Sequence, residues 1–175
     1  HHLYYKLVEE ISNKRFGRAP SATDRLRTTV SGKGNALLPS GYVPDVGDRL
    51  YFYRRLGEAD TVAAVDDVFQ ELQDRFGPLP GPAKVLLNSA SIQVRASAMG
   101  IQHINFLANG VSLSFRNGEE SNESCLSLKN LTSFLALRNL SGSFGSAGGG
   151  RLELTIETSS DSESLSALDY LFESF

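Results

Sequence analysis

The chain has 175 residues, 41% of them hydrophobic, a formal net charge of −3 and a sequence pI near 5.6. A chain this long can bury roughly 70% of its unfolded surface, and its acidic balance argues against an autonomous nucleic-acid binder, which carries a basic excess. Cys125 is the single cysteine, which excludes a disulfide within the chain and a cysteine-based metal cluster and suits a reducing cytoplasm.

No apolar run approaches the roughly 20 residues of a membrane span. The sequence opens on His1-His2 and enters a helical pattern at once, without the basic start and apolar middle of a signal peptide. It reads as beginning inside a longer protein. Leu3, Tyr4, Leu7, Val8 and Ile11 recur at helical spacing and predict an amphipathic helix over 3–15. Residues 17–24 (GRAPSATD) read as a linker, so 1–23 is set apart from a domain spanning 24–175. RLRTTVS alternates and predicts a strand over 25–31, ended by Gly32 and Gly34.

The stretch LLPSGYVPDVGDRLYFYRR (37–55) has a distinctive geometry. Pro39 and Pro44 push Leu38 and Val43 towards extended backbone. Ser40-Gly41 supplies a turn, and Asp45 is placed to cap the helix that follows. Leu50, Tyr53 and Leu56 form the apolar stripe of that helix. A second stripe, Val62, Val65, Phe69, Leu72 and Phe76, predicts a helix over 60–76. Gly77 stops it, with Pro78, Pro80 and Pro82 enforcing the break. A helix over 82–99 turns Val85, Leu86, Ile92 and Met99 towards a core and ends at Gly100.

Residues 101–107 and 111–115 predict two strands joined at Asn109-Gly110. Residues 124–139 read as a helix, GSFGSAGGG (142–150) as a loop and RLELTIE (151–157) as a strand. A last amphipathic helix over 161–174 carries Leu165, Leu168, Leu171 and Phe172. Helices ahead of a small sheet, with further helices after it, predict an α+β fold in which helices pack with a small mixed or antiparallel sheet.

Signals for chemistry are sparse. Gly32-Lys33 is not a phosphate loop: Arg27 stands where the first glycine is needed, and Gly34 stands where Ser or Thr must follow the lysine. The glycines of 142–150 lead into a strand, whereas a dinucleotide loop opens a helix. His103 has no His or Cys partner nearby in sequence, and Cys125 reads as a packed thiol. No catalytic residue, metal site or cofactor is assigned. Lys14, Arg15, Arg18, Arg25, Arg27 and Lys33 make a basic stretch, either a solvated linker or a contact for DNA or an acidic partner. Only Phe16 is interleaved there for base stacking.

The informative polar set is on the 60–76 helix. At 100° per residue, Asp67, Glu71, Asp74 and Arg75 all fall away from the Phe69/Leu72/Phe76 face. Two readings are open. Glu71 and Arg75, four apart, can form an intrahelical pair worth about 0.2–0.5 kcal/mol. Alternatively the face presents both charge signs to a partner.

LPSGYVPD (38–45), RLYFYRRL (49–56) and ELQDRFGPLPGPAKVLL (71–87) together resemble the C-terminal domain of bacterial transcription-repair coupling factors, in order and spacing. The likeness continues more weakly through MGIQHI (99–104) and the last strand and helix, and LYYKLVEEI resembles the helix that follows the family's motor domains. Gly41 departs from the usual acidic residue, Val85 replaces a frequent Asn, and 118–150 follows the family poorly. The resemblance implies a parent that is an ATP-dependent DNA translocase of the cytoplasm. That parent removes stalled RNA polymerase and recruits nucleotide excision repair through UvrA, with polymerase and DNA bound by its other domains. It implies that this domain is non-catalytic and acts as an autoinhibitory clamp on the parent's N-terminal UvrB-homology module, hiding the UvrA-binding surface. The clamp motif E-x-x-D-R falls on Glu71, Asp74 and Arg75, with Asp67 on the same helix face.

Overall fold

The computed structural model describes residues 27–32, 34–115, 128–147 and 151–175. The expected helix over 3–15 and linker over 17–24 lie outside them, as does Cys125. The described residues form two compact units.

The first unit holds Arg27 and residues 34–94. Its chain enters through the proline-bracketed elbow, where the Tyr42 and Val43 amides both donate to the Pro39 carbonyl at 3.0 Å. Asp45 is extended and its carboxylate accepts from the Asp48 amide at 2.9 Å, which satisfies one orphan donor and starts helix α1 (Val46–Glu58). Phe52 and Leu56 are the buried residues of α1, while Leu50 and Tyr53 are half-buried. The expected stripe is therefore displaced, for a chemical reason. A phenol needs a partner for its hydroxyl, and Tyr53 at the margin of the core accepts from the Leu38 amide at 2.7 Å. Phe52 has no such need and takes the centre.

Helix α2 (Val62–Phe76) starts at Thr61, whose hydroxyl accepts from the Ala64 amide at 3.2 Å. It ends at Gly77, which adopts φ +81° and donates to the Gln73 carbonyl at 2.9 Å. Val65, Val68 and Leu72 are buried, and Val62, Phe69 and Phe76 are only half-buried, so the core-facing stripe is rotated to admit Val68. Helix α3 (Gly81–Ala98) begins after Pro80, and the Leu37 amide donates to the Pro82 carbonyl at 3.3 Å. Leu86 and Leu87 are buried on α3, while Val85 is half-buried. The core of this unit gathers Leu38 and Val43 of the elbow, Phe52 and Leu56 of α1, Val65, Val68 and Leu72 of α2, and Ala83, Leu86, Leu87 and Ala90 of α3.

The second unit holds residues 28–32 and the described part of 95–175, including the last turn of α3. Strands β1 (Thr29–Ser31), β2 (Ile101–Leu107), β3 (Gly110–Phe115), β4 (Gly142–Ala147) and β5 (Arg151–Glu157) form one sheet in the order β1-β2-β3-β5-β4. Strand β1 is parallel to β2 and the other pairings are antiparallel, so the sheet is mixed. With helices α4 (Leu128–Leu137) and α5 (Asp161–Ser174), the chain has the expected α+β fold. Register sets Ile104, Leu113 and Leu154 in one buried row and Phe106, Val111 and Ile156 in the next. Helix α5, which packs on β3 and β5, buries Ala167, Leu168 and Leu171.

Three expectations need correction here. Residues 142–147 are a strand rather than a loop, because β5 pairs with them from Ala147↔Arg151 to Gly142↔Ile156. Local composition, glycine and serine around one phenylalanine, carries no sign of that pairing. The β2–β3 turn is Ala108-Asn109, and Gly110 already pairs with Leu107. A Cβ on Gly110 would stand 2.3 Å from the Ile156 carbonyl oxygen, so the glycine is there for close strand approach. The strand expected over 25–31 covers only Thr29–Ser31 among the described residues. Thr28 precedes it, buried, its hydroxyl donating to the Ile101 carbonyl at 2.6 Å.

Candidate functional site

The polar set named from the sequence sits on α2, and α1 supplies partners to half of it. An Arg75 Nη2 donates to Asp48 Oδ1 at 2.9 Å, and Arg75 Nη1 to Glu71 Oε1 at 3.4 Å. Glu71 Oε2 in turn accepts from Arg55 Nη1, which also donates to the Tyr51 hydroxyl at 3.1 Å. The result is a chain Asp48–Arg75–Glu71–Arg55–Tyr51 running between the two helices. The aromatic floor is close: the Arg75 guanidinium carbon lies 5.0 Å from the Phe76 ring centre and 5.4 Å from that of Phe52. Arg55 stacks likewise over Tyr51 at 5.5 Å.

The local sequence explains this placement. Asp45 caps α1 and so fixes Asp48 in its first turn, and Arg55 falls in its last turn, two helical turns further along. The elbow is also fastened to α2, because the Tyr42 hydroxyl donates to the Gly77 carbonyl at 2.8 Å and lies 3.1 Å from that of Leu72. The rings of Tyr42 and Phe76 meet edge-on at 5.8 Å, and those of Phe52 and Phe76 at 6.1 Å.

The four charged side chains keep 30% to 40% of their surface exposed, so each pair contributes on the scale of a surface ion pair, about 0–1 kcal/mol. The Asp48 hydrogen bond raises the Arg75 pKa above the arginine value, against an opposing effect of burial and with Glu71 assisting. For Arg55, burial acts to lower the pKa and is overcome by the Tyr51 and Glu71 contacts, leaving it raised. Both guanidiniums are therefore permanent cations. Burial raises the Tyr42 pKa.

The intrahelical Glu71–Arg75 pair expected from spacing is present, embedded in a larger interhelical network. Asp67 and Asp74 differ from it: both are exposed on α2, and neither has an ion-pair partner among the described residues. The sequence reading did not nominate Asp48 and Arg55. Both lie in the motif-bearing stretch 38–56, but their partners are 27 and 16 residues away, across a helix packing.

Of the basic stretch, Arg27 is described, and it donates to the Ala59 carbonyl at 3.2 Å, at the C-terminal end of α1. That is a favoured place for a cation. Lys14, Arg15, Arg18, Arg25 and Lys33 lie outside the described residues. His103 is exposed on β2, opposite Ser114. Among the described residues no group of three or more His, Cys, Asp or Glu is placed to hold a metal ion, and no helix is long and apolar enough to cross a membrane. On the α1–α2 surface, ion-paired charges of both signs stand on the same helix as two exposed carboxylates that have no ion-pair partner among the described residues.

Comparison with known proteins agrees with the resemblance seen in the motifs. The family model described as TRCF domain matches residues 32–126. The transcription-repair-coupling factor of Escherichia coli K12 is 35% identical over 127 residues, which is 71% of this chain and 11% of that protein. The protein of the same name from Haemophilus influenzae is 31% identical over 116 residues, 65% of this chain and 10% of the relative. The chain thus spans about a tenth of the length of these relatives. The crystal structure of a C-terminal domain of transcription-repair coupling factor shares the fold, with a TM-score of 0.70 and 21% identity over 86% of this chain and 93% of that one. With the family model covering more than half of its residues, the chain belongs to the TRCF domain family of transcription-repair coupling factors.

Proposed function

We propose that this chain is a regulatory, non-catalytic domain that docks through the α1–α2 surface on the N-terminal UvrB-homology module of its own parent protein, and so masks the UvrA-binding surface. The parent on this reading is a cytoplasmic, ATP-dependent DNA translocase that displaces stalled RNA polymerase and hands the lesion to nucleotide excision repair. Family membership supports the parent's assignment. The docking role rests on one observation: Asp74 is exposed and has no ion-pair partner among the described residues, beside an Arg75 already held by Asp48. An exposed carboxylate is available to a basic group on another surface, and complementary charge of this kind supplies specificity. Asp67, one side of the same helix, extends the acidic part of the face. The deciding experiment is binding of this chain to the N-terminal module, with Asp74→Arg as the variant. Wild-type affinity in a folded Asp74→Arg chain excludes docking through this face.

A further inference from the structure

We infer that Asp48 and Arg55 of α1 are positioning residues for the docking face, holding Arg75 and Glu71 in the orientation a partner meets. The inference rests on the docking reading and assigns two further residues to it. An exposed arginine is a poor recognition group unless something orders it, because binding must then immobilise a long, rotamer-rich side chain. Arg75 is ordered in advance. Its guanidinium is bonded to Asp48 at 2.9 Å and to Glu71 at 3.4 Å, above the rings of Phe76 and Phe52. Glu71 is held from two sides, by Arg75 and by Arg55, and Arg55 is steadied by the Tyr51 hydroxyl at 3.1 Å.

The charges divide the labour. Asp48, Glu71, Arg55 and Arg75 sum to zero, so the quartet adds geometry and no net charge. The acidity that attracts a basic partner comes from Asp67 and Asp74, outside the quartet. A guanidinium has five N–H donors in a fixed fork. Its contacts to Asp48 and Glu71 use part of that fork and fix the plane in which the remaining donors are offered. Asp48 thus acts through Arg75, and Arg55 through Glu71.

The test has two arms. In the 175-residue chain, NMR order parameters of the Arg75 Nε–Hε group compare wild type, Asp48→Asn and Asp48→Glu. In the full-length parent, capture of purified UvrA is measured for Asp48→Asn, Arg75→Ala, the double variant and Asp74→Arg, with thermal unfolding as a check on the fold. We expect Arg75 to become mobile in Asp48→Asn and to be re-ordered in Asp48→Glu. We expect Asp48→Asn to raise UvrA capture about two- to tenfold, the cost of ordering one long side chain, and to add nothing in the Arg75→Ala background. An Arg75 that stays rigid in Asp48→Asn overturns the inference, as does a Asp48→Asn effect that persists without Arg75. Unchanged capture in Asp48→Asn, with capture raised by Asp74→Arg, removes the positioning role and leaves docking standing. If Asp74→Arg also leaves capture unchanged, docking falls and the positioning role falls with it.

Discussion

The Tyr42 hydroxyl donates to the Gly77 carbonyl at 2.8 Å, joining the elbow before α1 to the end of α2. The last carbonyls of a helix have no intrahelical donor, so this phenol satisfies a group that the fold half-encloses. Tyr42→Phe should therefore lose about 0.5–1.5 kcal/mol of stability at neutral pH. The pH dependence has a definite sign. Burial raises the Tyr42 pKa above 10.0 in the folded chain, so the contribution is fully present below the unfolded value and is lost as pH rises through the folded one. Denaturant melts of wild type and Tyr42→Phe should therefore converge above pH 10. A gap that is constant from neutral to strongly alkaline pH would mean that the hydroxyl is not the source of the difference.

Phe76 is the meeting point of the same region, edge-on to Tyr42 and Phe52 and beneath the Arg75 guanidinium. It is half-buried, so Phe76→Ala should cost about 2–3 kcal/mol, less than the roughly 3–5 kcal/mol of a fully enclosed ring. For a chain of this size that corresponds to a fall in Tm of about 4–12 °C. Calorimetry decides the matter: an unchanged Tm is incompatible with the ring cluster described.

Gly32 adopts φ +83°, and a Cβ there would stand 2.1 Å from the Phe106 carbonyl oxygen. Backbone, not a flexible side-chain end, is what it would strike. Gly32→Ala should destabilise the sheet-bearing unit by more than about 1–2 kcal/mol, from the left-handed conformation alone, with the clash added. Hydrogen exchange should show the loss first at β1 and β2. Full protection of those amides in Gly32→Ala would contradict the close approach.

What was legible in the sequence was mostly local. Asp45 as a cap, Gly77 as a stop and the outward direction of Asp67, Asp74 and Arg75 depend on residues within a helical turn or two, and the structure has them so, whereas Glu71 is half-buried against Arg55. The misses depend on distant chain. Strand β4 exists because β5 pairs with it, and nothing within GSFGSA announces a strand. Asn109-Gly110 has the composition of a turn, but Gly110 is required by the Ile156 carbonyl packed against it, which local sequence does not show. Spacing revealed the Glu71–Arg75 pair, but Asp48 and Arg55 join it only once two helices are packed at a particular rotation. That rotation follows from Val68 and Phe52 entering the core, and both lie off the stripes that simple periodicity selects.

Asp74→Arg separates docking from folding. Asp74 is exposed and has no ion-pair partner among the described residues, so reversing its charge leaves the Asp48–Arg75–Glu71–Arg55 network in place. The isolated chain should change in stability by no more than about 0.5 kcal/mol, as for other surface substitutions. In the complex the consequences are larger. If Asp74 meets a basic group of the N-terminal module, reversal sets like charges face to face, a juxtaposition that costs several kcal/mol. Module binding should then weaken by at least about tenfold, and UvrA capture by the full-length parent should rise. The effect should shrink in high salt, because exposed charges are screened within about 10 Å at 0.1 M ionic strength and about 3 Å at 1 M. Melting temperature, module affinity and UvrA capture are to be read on the same variant. A folded Asp74→Arg protein that binds the module and UvrA as wild type does leaves Glu71 and Arg75 as parts of a structural brace between two helices, and the docking surface must then be sought elsewhere on the chain.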